Sequence, residues 1–164
     1  MDLLFYISGL VAILSTFMVI TRTNAVHALL YLIVSLLAVA LVFFVLGAPF
    51  AAALEVIIYA GAIMVLFVFV IMMLNLGSDA ARQESQWLSP RTWIGPSFLV
   101  LVLGSELLYL FLSVEGQYFS QEYSGPKAVG IALFGPYVLG VELASLLLLA
   151  GLIGAYHLGR PHRH

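Results

Sequence analysis

The sequence predicts an all-α integral membrane protein with five transmembrane helices, and three observations predict it. Apolar residues make up 63% of the 164-residue chain and charged residues only 9%, against about 25% charged in a soluble domain. The mean hydropathy is +1.14. The apolar residues gather in five runs, 3–21, 26–47, 51–76, 94–113 and 137–157. Each is close to the ~20 residues that about 30 Å of hydrocarbon requires. Residues 1–164 then read as a single membrane domain, with no length left for a soluble catalytic domain.

The first run, MDLLFYISGLVAILSTFMVIT, lacks a basic flank and is too long for the apolar part of a signal peptide, so a retained helix is expected. It pairs Ser8 with Ala12 four residues apart, a small-residue spacing that favours close helix packing. The second and third runs are separated only by GAPF, which predicts an antiparallel hairpin. Between the third and fourth, GSDAARQESQWLSPRTW is polar and reads as a solvated loop, with Trp87 and Trp93 suited to an interfacial aromatic belt. EGQYFSQEYSGP alternates aromatic and polar residues before a turn and suggests a small hairpin. VGIALFGPY is apolar but broken by Gly135 and Pro136, so the last helix starts or kinks there. That helix repeats the small-residue spacing at Gly151 and Ala155. No span pair is repeated, which disfavours a transporter built on inverted repeats.

An odd number of spans puts the termini on opposite sides. Arg22, Arg82, Arg91, Arg160 and Arg163 fall in connections of one side and Lys127 alone in those of the other. The positive-inside rule therefore predicts the N-terminus outside and the C-terminus cytoplasmic. The formal net charge of −2 and the scattered basic residues give no reason to expect nucleic acid as a partner. The absence of cysteine excludes disulfides, thiolate zinc sites and cysteine-ligated iron–sulfur clusters. His162 and His164 do not have the spacing of a metal site, and His27, His157 and Arg22 read as solvated residues at helix ends. There is no phosphate-binding loop and no nucleophile elbow. A catalytic centre is not expected in this chain, and no cofactor or metal is expected to bind it.

Three glutamates fall inside the runs: Glu55, Glu106 and Glu142. A charge at a helix centre costs roughly 2.5 to 3.5 kcal/mol on insertion scales, so such residues normally face protein or water. Glu55 and Glu142 each lie about one turn inside the outer end of their spans, some 6 to 8 Å deep at about 1.5 Å per residue. They can share one hydrated layer, or simply reach the headgroups. Glu106 lies deeper and its role stays open.

The third run, LEVIIYAGAIMVLFVFVIMMLNL, holds the most unusual pattern. At about 100° per residue Glu55, Tyr59, Ala62 and Leu66 form one stripe, which predicts a shared protein-facing surface for the carboxyl and phenol. Gly61 lies off that stripe. It can serve close helix packing, or the cluster Tyr59, Ala60, Gly61 can be a weak point that accommodates an extra residue as a π-bulge. One inserted residue rotates everything beyond it by roughly 100°, so Met64, Phe67 and Val68 would change neighbours.

Residues 23–77, with EVIIYAGAIMVLFVFV at their centre, and residues 133–160, LFGPYVLGVELASLLLLAGLIGAYHLGR, strongly resemble the subunit J family of bacterial NADH-quinone oxidoreductase, respiratory complex I. The resemblance covers about half the chain. It implies a five-helix, multi-pass subunit of the bacterial inner membrane, embedded in the lipid bilayer among subunits A, H and K and the antiporter-like subunits. It implies a π-bulge at Tyr59 to Gly61 that converts to α-helix during turnover and gates a water-filled proton path. On that reading Tyr59, Ala60 and Gly61 are the hinge, Met64, Phe67 and Val68 the hydrophobic gate, and Glu55, Tyr59 and Glu142 candidates for the path. NADH, FMN, iron–sulfur clusters and quinone belong to other subunits. The resemblance supplies no counterpart for Glu106 and no roles within 78–128. Two rivals remain: a static scaffold within the same complex, and a small transporter or subunit of a related cation/proton antiporter.

Overall fold

A computed structural model describes residues 2–74, 90–113 and 124–159. In order these form α1 (Asp2–Thr21), α2 (Ala25–Val45), α3 (Pro49–Leu54), a π-helical segment (Glu55–Ile63), α4 (Met64–Leu74), α5 (Pro90–Ser113), α6 (Pro126–Leu133) and α7 (Val138–Gly159). The described part is all-helical. Leu54, Glu55 and Met64 all keep right-handed helical dihedrals, so α3, the π segment and α4 run as one rod. With it, five helices among the described residues are long and apolar enough to cross a membrane: Asp2–Thr21, Ala25–Val45, Pro49–Met73, Trp93–Leu112 and Val138–Gly159. The five apolar runs of the sequence thus map one to one onto helices. The connections 75–89 and 114–123, with Trp87 and most of the suggested second hairpin, lie outside the described residues, as do His162 and His164.

Helix ends differ from the hydropathy limits by a few residues because capping chemistry sets them. Asn24 precedes α2, and its Oδ1 accepts from the backbone N–H groups of Val26 (2.9 Å) and His27 (3.3 Å), satisfying two donors that have no partner inside the helix. At the other end α2 stops at Val45, before Gly47. Gly47 adopts φ +79°, a left-handed conformation that costs an L-residue about 1–2 kcal/mol. Its N–H donates to Phe44 O (3.1 Å) and that of Ala48 to Phe43 O (3.0 Å), the pair of bonds that closes a helix with a reversing turn. Pro49 then occupies the first turn of α3, where its missing N–H costs nothing. GAPF is therefore a complete stop and start, and the predicted hairpin forms, with α2 in contact with α3, the π segment and α4.

The chain divides into two compact units, Met1–Tyr123 and Ser124–His164. In the first, α1 lies along α2, and α5 touches both. Val11, Val34, Ala38, Leu41, Leu103 and Leu110 form its core. Hydrocarbon exerts no hydrophobic push between helices, so close approach at small residues and interhelical hydrogen bonds must hold them. The α1–α2 seam supplies both. Ser8, Ser15, Ser35 and Ala38 are buried, and across the seam Thr16 Oγ1 and Ser35 Oγ lie 2.8 Å apart and Ser35 Oγ lies 3.4 Å from Ala12 O. In the second unit Pro126 opens α6, and the turn over Phe134 to Tyr137 closes with Phe134 N–H on Gly130 O (3.0 Å) and Tyr137 N–H on Ala132 O (3.1 Å). The last long helix starts at Val138, just past Gly135 and Pro136, as their sequence suggested.

Candidate functional site in the third span

Backbone geometry distinguishes the third span. From Glu55 to Ile63 the helix is wound in π geometry, with Tyr59, Ala60 and Gly61 inside the widened stretch. Its end is marked by the N–H of Met64, which reaches back to the carbonyl of Tyr59 and also to that of Gly61. A bond to the fifth residue back is the π pattern; an α-helix bonds to the fourth. The wide turn brings carbonyls close to the inner side of later residues. A β-carbon placed on Gly61 would come 3.2 Å from Val56 O, tighter than carbon and oxygen normally allow, so glycine suits this position.

The widening also changes which faces point inward. Ala52 on α3 and Met64 on α4 are both buried, Met64 with only 2% of its surface exposed. On a regular α-helix the twelve steps from Ala52 to Met64, at about 100° each, would leave Met64 roughly 120° round from Ala52. One residue absorbed in the wide turn reduces that to about 20°. The π segment therefore lets both ends of the rod present their small or flexible residues to the same side, where α2 contacts α3 and α4.

The remaining predicted residues divide around this geometry. Glu55 is half-buried at the start of the π segment, its N–H bonded to Ala51 O and Ala52 O. Tyr59 is 49% exposed, Ala62 is exposed, and Leu66 is largely open. The stripe of Glu55, Tyr59, Ala62 and Leu66 thus lies mostly outside the contacts among the described helices of this unit. The π segment does not keep 100° per residue, so the four residues are spread more widely than a regular helix would place them. Of the three gate residues Met64 is enclosed, while Phe67 (48%) and Val68 (37%) stay open. Glu142 lies one turn inside α7, in the second unit. Among the described residues no group of three or more His, Cys, Asp or Glu is placed to hold a metal.

A cavity of about 440 Å³ opens between α2, the start of the third span and α5, lined by residues such as Leu37, Phe44, Ala52, Val56, Leu103 and Leu107. Its wall is apolar, and apolar cavities stay dry. Sequence reasoning left Glu106 without a role. The structure buries it at 5% exposure on the core face of α5, with Oε2 2.7 Å from Ser8 Oγ on α1. The sequence signal was a carboxylate deep in an apolar run; its partner Ser8 could not be read from either run alone.

These features define a multi-pass membrane protein whose distinctive element is an irregular helix rather than a pocket of reactive side chains. The chain belongs to the family of NADH-ubiquinone/plastoquinone oxidoreductase chain 6, which it matches over residues 15–158. It is 61% identical over 163 residues to NADH-quinone oxidoreductase subunit J of Escherichia coli (strain K12), covering 99% of this chain and 89% of that protein. It is 60% identical over 161 residues to subunit J of Pseudomonas aeruginosa, covering 98% and 97%, and 53% identical over 163 residues to subunit J of Buchnera aphidicola subsp. Schizaphis graminum, covering 99% and 100%.

Proposed function

We propose that this chain is a non-redox membrane subunit of a proton-translocating NADH-quinone oxidoreductase and couples quinone reduction to proton movement by a change in the third span. The observation that carries this reading is the π segment Glu55–Ile63, with Gly61 crowded by Val56 O and Met64 held inward only by the extra residue. Conversion of Tyr59–Gly61 to regular α-helix swings Met64, Phe67 and Val68 by roughly 100° and exchanges a closed apolar contact for a wet one. Because the cavity beside α2 is apolar, the path runs along the open face of the rod, past Glu55 and Tyr59. Glu142, in the last span, is a separate candidate for the proton path.

The energy scale is suitable. Moving a proton against roughly 150–200 mV takes about 3.5–4.6 kcal/mol, and driving a two-state element from 1:99 to 99:1 takes about 5.5 kcal/mol. A single helix rearrangement biased by a neighbouring redox site is of that size. On this reading the N-terminus is outside and the C-terminus cytoplasmic in the bacterial inner membrane. Subunits A, H and K and the antiporter-like subunits cover the exposed apolar faces, and NADH, FMN, iron–sulfur clusters and quinone are bound elsewhere in the complex.

Gly61→Val tests it by placing a branched side chain against Val56 O. The assembled enzyme is expected to lose most of its proton pumping. Wild-type quinone reduction together with wild-type pumping would discard the switch. The openness of Tyr59, Phe67 and Val68 also suits a static scaffold that uses them as glue. A scaffold co-purifies with its complex yet tolerates changes at 59–67, whereas a coupling subunit does not.

A further inference from the structure

The contact between α1 and α5 carries an assignment that is independent of the switch. Ser8 Oγ lies 2.7 Å from Glu106 Oε2 and 2.8 Å from the carbonyl oxygen of Leu4. Both separations are those of well-made O–H···O hydrogen bonds. A serine hydroxyl has one hydrogen to give, while a peptide carbonyl and an ionised carboxylate can only accept. With Glu106 ionised, one of these two short contacts would contain no hydrogen.

We infer that Glu106 is held in the fold as a neutral carboxylic acid, a proton-holding site whose Oε2–H donates to Ser8 Oγ while Ser8 donates its own hydrogen to Leu4 O. The surroundings agree with the count of hydrogens. Ser8 is wholly enclosed. Leu103 and Leu110 flank Glu106 one turn to either side on α5 and belong to the same core as Val11 and Ala38. Neither α1 nor α2 contains a lysine or arginine, so the helices that pack against α5 bring no permanent cation to balance a charge. An unbalanced carboxylate there would forfeit its hydration for one hydrogen bond. Oε1 is buried without a partner. In a neutral acid it is the carbonyl oxygen, a weaker acceptor than either oxygen of an anion.

The test is infrared spectroscopy of the full-length chain in lipid vesicles at neutral pH, taken as wild type minus Glu106→Gln. The expected difference is one carbonyl band of an un-ionised carboxylic acid, with the carboxylate bands cancelling. A difference consisting of carboxylate bands would overturn the assignment. Ser8→Ala keeps the acid and removes its acceptor, so it tests the pairing even if the glutamine variant fails to insert. A shifted acid carbonyl band is expected, and an unmoved one would overturn it.

Discussion

Gly61 is where the third span is most sensitive to a single atom. Alanine is favoured over glycine in a regular helix by roughly 1 kcal/mol, and its β-carbon would press on Val56 O in the wide turn. The clash is specific to the wide turn, so Gly61→Ala is pushed towards α geometry. A high-resolution map of residues 55–64 in the variant complex is expected to show Met64 bonded to its fourth predecessor and rotated away from α2. A retained wide turn would show that packing, not Gly61, dictates the geometry. This residue was legible in the sequence because a glycine between alanines is rare punctuation in a run of large apolar residues. The burial of Met64 was not legible. Its inward direction depends on the phase of the helix, and that phase is set by the irregularity itself.

At the scale of elements, the existence of five long helices could be read from hydropathy alone, since a bilayer demands about 20 apolar residues per crossing whatever their packing. The ends could not, because they depend on single capping groups. Val45 ends α2 although Leu46 is just as apolar, since Gly47 supplies the left-handed residue and Pro49 starts the next helix. Gly47→Ala must place a β-carbon at φ +79°, and about 1–2 kcal/mol of stability is expected to be lost. Measured by detergent-titrated unfolding of the chain, that is a clear shift of the midpoint towards lower denaturant. An unchanged midpoint would mean that the reversal between α2 and α3 is held by contacts of the flanking helices rather than by its own turn. The Ser8–Glu106 contact belongs to this scale too. It joins α1 to α5 across nearly a hundred residues, and no local pattern announces which buried hydroxyl a distant carboxyl will meet.

For the whole molecule the question is direction, because every role proposed for Glu55, Tyr59 and Glu142 depends on which side of the membrane they approach. Arg22 and Lys127 stand in opposite connections, and the bias of five arginines to one lysine predicts Arg22 inside. The absence of cysteine makes this directly measurable, since any introduced thiol is the only one in the chain. Thr23 and Ser124 are both exposed, one just beyond α1 and the other just before α6. In intact cells a membrane-impermeant maleimide is expected to label Ser124→Cys and to leave Thr23→Cys unmodified until the membrane is opened. The reverse pattern would invert the molecule, putting Glu55 near the cytoplasmic surface. Protons would then meet Glu55 and Tyr59 from the side opposite to the one proposed.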